Sequence, residues 1–402
     1  MRTFPRVGWR VESVPLLDPG WLARPAPGSL TEWLDQVGSA VRWAVAPASM
    51  FVASRAAVLL AAGVAVLRSP HLANLGNALA RWDSGWYLTL TKAGYPSSLP
   101  MASGHVGSNT TAFFPMFPIA IRALASWTGL SLLVSGFLLD SAFGLAAALL
   151  VWVLARDLWG DAAANRSCAM FCFFPGAFVF SMVYAEGLMI ALAAGCLLAL
   201  SRRRWLAAGV LAALATATRP NAIALGAACA WVAAVAIWRR REWRSLIAPA
   251  LAPVGILAYF GYLWLRTGHV TAWFATEGQA WNEHFDITAT WTRISTFANH
   301  PSANLNDTVG LACLAFVIVA GVLLVRARAH GELLAYSGVV VALTLVSSLY
   351  GTTPRFALTA FPLAMVIGYR LRGVAFGAVL AASAAAMGWL MVVTASSMAL
   401  TP

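Results

Sequence analysis

The sequence predicts an all-α polytopic membrane protein, and three observations carry that prediction. Of 402 residues, 60% are hydrophobic and only 10% are charged, whereas soluble domains carry about 25% charged residues. Apolar runs recur at close to the ~20 residues a helix needs to cross a bilayer, and helices satisfy their own backbone groups in lipid, as open sheets cannot. Arginines gather in short loops between those runs, at Arg202 to Arg204, Arg239 to Arg244, and Arg326 with Arg328. That is the positive-inside pattern of a chain that crosses repeatedly. The net charge of +12 comes almost wholly from arginine, with Lys92 the only lysine, so its position points to membrane orientation and anionic lipid, and not to nucleic acid.

Taken in order, residues 1–47 are rich in Pro and Arg and read as a cytoplasmic tail, with Trp33 to Trp43 as a short amphipathic helix lying on the inner surface. Residues 48–402 form the membrane domain. Met50 to Leu67 is the first crossing, which puts residues 68–131 outside as a long first loop. Within that loop Phe113 to Trp127 is short, twice interrupted by proline and carries Arg122, so it reads as an interfacial or re-entrant helix.

The further crossings are Leu132 to Leu154, Ser167 to Met182, Gly187 to Leu200, Trp205 to Thr216, Ala222 to Trp238, Ile247 to Leu265, Val309 to Val325, Leu333 to Leu349, Phe356 to Tyr369 and Val374 to Thr394. That makes about eleven transmembrane helices. Several are too short for a straight crossing, which predicts broken or tilted helices around a cavity, most clearly where Trp205 to Trp238 is interrupted at Thr218-Arg219-Pro220-Asn221. Residues 266–306 form a second outer loop, polar and aromatic, long enough to cover a site. The five cysteines all fall in apolar segments and read as small buried hydrophobes, not as a disulfide or zinc framework.

Ionisable groups at membrane depth are functional candidates by default, and this topology brings several to the outer face. Asp83 sits in RWDSGWYLTLTKAGY, residues 81–95, between Trp82 and the Trp86-Tyr87 pair. Such amphipathic rings settle at the level of the lipid headgroups, so a carboxylate among them can meet a lipid's polar head. It could act as a general base, taking the proton of an acceptor hydroxyl that attacks a sugar's anomeric carbon. The alternative is that it pairs with Arg81 or caps the following helix; Arg81 could itself bind phosphate.

Glu186, at an outer turn, could hold an acceptor sugar or serve as a second acid, or it could simply offset a helix dipole. Arg219, where a helix breaks, has the planar guanidinium that suits a phosphate, with Asn221 adding a hydrogen bond; snorkelling to the interface is the other account. Arg355 follows a proline at an outer helix start and offers a second phosphate contact. His284, with Glu283 and Asp286 nearby, could contact an acceptor or a divalent ion. The histidines do not cluster, no metal-ligand spacing is present, and no metal site is assigned. Gly-rich nucleotide motifs are absent, which argues for a membrane-borne donor.

These residues lie in motifs that resemble a known family. RWDSGWYLTLTKAGY followed by TAFFPMFPIAIR, then SMVYAEGLMIAL, TATRPNAIAL and TPRFALTAFPL in that order, resemble the PIG-V family of GPI mannosyltransferases and its bacterial relatives, membrane enzymes of the GT-C glycosyltransferase type. The resemblance spans about residues 80 to 370. It implies a GT-C helical bundle whose long first extracytoplasmic loop carries interfacial helices. It also implies a polyprenyl phosphate mannose donor, inverting transfer of the hexose to a glycolipid or glycan acceptor on the outer face of the cell membrane, and Asp83 as the base. With arginines to offset charge on a lipid phosphate leaving group, no cofactor is required, although a divalent cation could assist. The competing reading is a transporter or flippase of lipid-linked saccharides, which would also use interrupted helices; a third is a non-catalytic partner of a larger membrane enzyme.

Overall fold

The computed structural model describes residues 30–300, 305–348, 353–397 and 400. Most of the expected cytoplasmic tail lies outside them. Helix α1 runs from Leu30 to Arg68, and its apolar part, Arg42–Arg68, is long and apolar enough to cross a membrane. Trp33 to Trp43 is therefore not a separate surface helix: nothing in the sequence interrupts it before the crossing, and Pro47 is accommodated inside α1.

The first loop is largely helical. It holds α2 (Leu75–Leu79), α3 (Asp83–Ala93), a small hairpin of β1 (Met101–Ala102) and β2 (His105–Val106), a 3₁₀ turn at Thr110–Ala112, and α4 (Met116–Thr128). The hairpin turns through Ser103 and Gly104, both at positive φ, as tight two-residue turns require. α4 falls where the interfacial segment was expected and is not among the helices long enough to cross.

After α5 (Leu132–Trp159) come α6 (Asp161–Cys172), a 3₁₀ segment at Pro175–Ser181 and α7 (Glu186–Ser201). The expected single crossing from Ser167 to Met182 is thus two pieces, because the chain leaves the helix ahead of Pro175, and the 3₁₀ segment meets α7 at a 111° bend. The break at Thr218 to Asn221 is present as read: α8 (Trp205–Thr216) gives way to a 3₁₀ turn at Pro220–Ile223 and then α9 (Ala224–Arg240).

A further 3₁₀ turn at Trp243–Leu246 leads into α10 (Ile247–Leu251) and α11 (Val254–Thr267). α12 (Ala272–Ala280) and α13 (Ala289–Asn299) follow between α11 and α14 (Leu305–Arg326), and α15 (Gly331–Leu345) comes next. The expected crossing from Phe356 to Tyr369 is split into α16 (Pro354–Thr359) and α17 (Pro362–Arg370), since Pro362 brings no N–H to continue the ladder. α18 (Gly373–Ser396) ends the described helices.

Among the described residues six helices are long and apolar enough to cross a membrane, and up to seven if the bent pair counts as one span. The chain is a multi-pass membrane protein. α7, α17, the second half of α6 and the 3₁₀ segment at Pro175–Ser181 are buried almost throughout, while the six long helices keep broad apolar surface exposed. The irregular pieces are therefore at the centre of the bundle, where protein and not lipid surrounds their backbone.

Gly176 lies against the backbone of Pro354 and Arg355, so that a Cβ there would run into the Pro354 carbonyl. Gly176→Ala should lower stability by about 1–3 kcal/mol, the usual range for overpacking. Gly261→Ala, where nothing lies within 4 Å, should change it by under about 0.5 kcal/mol. Thermal or denaturant unfolding of the two purified variants checks the contrast.

Candidate functional site

Each site side chain stands where the chain departs from regular helix. Asp83 opens α3, and the residue before it, Trp82, has φ 57° and ψ −124°, a conformation that a bulky residue holds only when its surroundings impose it. The indole Nε1–H of Trp82 donates to the Thr394 carbonyl of α18 at 2.9 Å, which ties this corner to the far end of the chain. Pro220 forces Arg219 out of α8 into an extended conformation, φ −154° and ψ 147°, as residues before proline prefer. Arg355 is the second residue of α16, whose first position is Pro354, a favoured helix start. Glu186 opens α7 straight after the sharp bend, where a negative charge meets the positive end of the helix.

Four places far apart in sequence thereby meet. Arg355 Nη1 pairs with Asp83 Oδ2, and Arg355 Nε lies 3.4 Å from Glu186 Oε1. The same Glu186 oxygen accepts a hydrogen bond from Arg219 Nη1 at 2.6 Å. Glu186 is 0% exposed, Arg355 3% and Arg219 8%, so neither arginine snorkels to the interface. Both guanidinium groups lie against the Phe356 ring, at 5.2 Å for Arg355 and 5.7 Å for Arg219, and Arg355 also faces Tyr184 at 5.4 Å. The Asp83 backbone N–H donates to the Tyr184 hydroxyl at 3.4 Å.

These groups border a cavity of about 350 Å³. Asp83, Tyr87, Arg219, Asn221 and Arg355 line it together with Trp273, Phe274, Glu277, Trp281 and Glu283 from the stretch after α11, and with Phe113 and Phe356. Glu186 stands behind the two arginines. Asn221 Nδ2 donates to Thr359 Oγ1 at 3.1 Å, while Asn221 Oδ1, Arg219 Nε, Glu186 Oε2 and Trp281 Nε1 are buried without a hydrogen-bond partner among the described residues. A polar ligand could engage such groups.

Other expected site residues stand back from the cavity wall. Trp86 stacks on Phe113 at 6.0 Å and meets Trp281 edge-on at 5.4 Å, so it supports two wall residues. Trp82 anchors α3 to α18, and Arg81 is half-buried outside the lining. His284 is exposed, with its Nδ1 3.2 Å from Ser348 Oγ; together with the Asp286 N–H bond to the Val346 carbonyl at 2.7 Å, it pins the segment between α12 and α13 to the end of α15. Among the described residues no group of three His, Cys, Asp or Glu is placed to hold a metal ion.

Three residues were not singled out from sequence. Asp140 is fully buried in α5 and accepts from the Gly187 N–H at 3.1 Å; a lone acid in an apolar run was its signal. Trp281 joins the cavity wall. Glu277, half-buried on α12, faces the same space. Burial pushes its carboxyl up to about 8, reinforced by Glu283 and Asp83 and opposed by Arg219 and Arg355.

Comparison with known proteins bears out the resemblance read from the motifs. Residues 47–239 match the sequence profile of the family Mannosyltransferase (PIG-V). No curated protein matches the chain. Among solved structures, ArnT from Cupriavidus metallidurans bound to undecaprenyl phosphate is similar in fold, with a TM-score of 0.50 and 15% identity, over 81% of this chain and 61% of that one. The oligosaccharyltransferase of Archaeoglobus fulgidus gives a TM-score of 0.46 and 12% identity, over 87% of this chain and 56% of that one. The chain thus spans about three fifths of the length of these proteins, and the likeness to ArnT is one of fold.

The Glu277 environment has a consequence for stability. Folding raises this carboxyl from its ordinary 4.5 to about 8, so between those values the folded chain holds a proton that the unfolded chain releases, and stability falls as pH rises. Glu277→Gln removes that dependence. Its unfolding temperature should therefore gain on the wild type as pH is raised from about 5 to about 8 and level off above, as measured by thermal unfolding in detergent.

Proposed function

We propose that the chain is an inverting glycosyltransferase. It moves a mannose or related hexose from a polyprenyl phosphate donor to a glycolipid or glycan acceptor at the outer face of the cell membrane. The observation that carries this reading is the meeting of Asp83, Arg219 and Arg355 at one cavity wall, an acid beside two buried guanidinium groups, with Glu186 paired to both arginines behind it. The undecaprenyl phosphate bound to ArnT and the mannosyltransferase profile both fit it.

In the reaction, the acceptor oxygen attacks the anomeric carbon from the face opposite the phosphate and gives its proton to Asp83. The new carbon–oxygen bond forms as the bond to the phosphate oxygen breaks, and the leaving electron pair stays on the lipid phosphate. Arg219 and Arg355 offset that charge within a partly dry cavity, where fixed cations act more strongly than in water. Because Arg355 already pairs with Asp83, a phosphate that engages Arg355 also loosens the aspartate for its role as base. The rings of Phe113, Trp273, Phe274 and Trp281 offer apolar faces to the sugar ring and the first isoprene units. Glu186, buried and engaged by both arginines, orients them. The scheme needs no cofactor, and a divalent cation has no assigned place in it.

The topology that goes with this reading has about eleven crossings, the short and broken helices of the centre among them. Residues 68–131 and 266–306 then form outer loops, with α3 and α4 at the interface, so that the cavity opens to the extracytoplasmic side.

Asp83→Asn keeps the shape and removes the base. Transfer from polyprenyl phosphate mannose should fall by about 10²–10⁴-fold, while donor binding stays within a few-fold of wild type. Undiminished turnover in that variant would remove Asp83 from the mechanism.

A further inference from the structure

Glu277, on α12, lines the same cavity as Asp83, Arg219 and Arg355. We propose that Glu277 serves donor binding as an uncharged carboxylic acid, giving the phosphate a hydrogen bond while Arg219 and Arg355 hold it by charge; this rests on the lipid-phosphate reading above.

Charge and chemistry together support it. The two guanidinium groups are already countered by Asp83 and Glu186, so the quartet carries no excess positive charge. An additional ionised carboxylate in the same cavity would repel an arriving phosphate. A neutral carboxyl instead brings one O–H donor, which adds to the unpartnered Trp281 Nε1–H in the same wall.

The groups around Glu277 are consistent with that state. Asp83 on α3 and Glu283 in the turn after α12 favour its protonation, while Arg219 before the 3₁₀ turn and Arg355 on α16 oppose it. On α11, the Tyr259 hydroxyl donates to the Thr111 and Phe113 carbonyls at 2.8 and 3.1 Å, and Arg266 is directed to the Tyr95 carbonyl. The hairpin packed on α12 brings only His105, which is exposed. Burial outweighs the arginines, and the carboxyl is pushed up to about 8.

The test is equilibrium binding of polyprenyl phosphate mannose to the full chain in nanodiscs, since that phosphodiester keeps a single charge across the range. If only the protonated form binds, the apparent Kd of the wild type weakens about tenfold between about pH 7 and about pH 9. Glu277→Gln should hold its neutral-pH affinity across that range, and Glu283→Gln should move the wild-type loss to lower pH. A flat wild-type profile, which needs no variant to interpret, overturns the proposal, as does a Glu277→Gln protein that still loses affinity with rising pH. Both outcomes leave the lipid-phosphate reading standing. Absence of binding at every pH overturns that reading, and this proposal with it.

Discussion

The site depends on one buried carboxylate. Glu186 receives Arg219 at 2.6 Å and lies 3.4 Å from Arg355, with no exposure to solvent. Two guanidinium groups could not share so dry a space without it, because a buried charge left unpaired destabilises by about 3–5 kcal/mol. Its position follows from backbone: the 111° bend before α7 turns the helix N-terminus, and with it Glu186, toward the cavity. Gly187 lets that N-terminus close on Asp140, since a Cβ there would crowd the aspartate.

The same logic explains why irregular backbone concentrates here. Pro220 follows an arginine that has left the helical path, Pro354 opens the short helix that carries the other, and Trp82 takes a positive φ just where the acid enters. In lipid such segments would strand their polar groups; inside the bundle they find partners or face a cavity. Phe356 contacts both guanidinium groups and confines them, so the arginines are positioned by stacking as well as by charge.

Much of this was legible in the sequence. Composition and arginine placement gave the membrane class, and Asp83, Glu186, Arg219 and Arg355 could be named because an ionisable group beside an apolar run needs a reason. Their mutual pairing could not be read, since it depends on how α3, α7, α8 and α16 converge. Nor could the split of Ser167 to Met182, where an apolar run looks alike whether it crosses or bends. Glu277 was hidden for a different reason: in TAWFATEGQAWNEH it stands among other polar residues with no periodicity, and only the packing of α12 over the cavity gives it a special environment. His284 shows the converse, a titratable residue in a loop that the fold uses to fasten the loop itself.

A cavity with an acid and two guanidinium groups could in principle pass a lipid-linked saccharide across the bilayer without altering it, so chemical change of the sugar donor is the decisive quantity. Purified protein in nanodiscs, supplied with radiolabelled polyprenyl phosphate mannose and a membrane lipid extract, should convert the label into a new glycosylated product and release polyprenyl phosphate. Label that stays in the donor, with the protein folded and the donor bound, would contradict glycosyl transfer by this cavity.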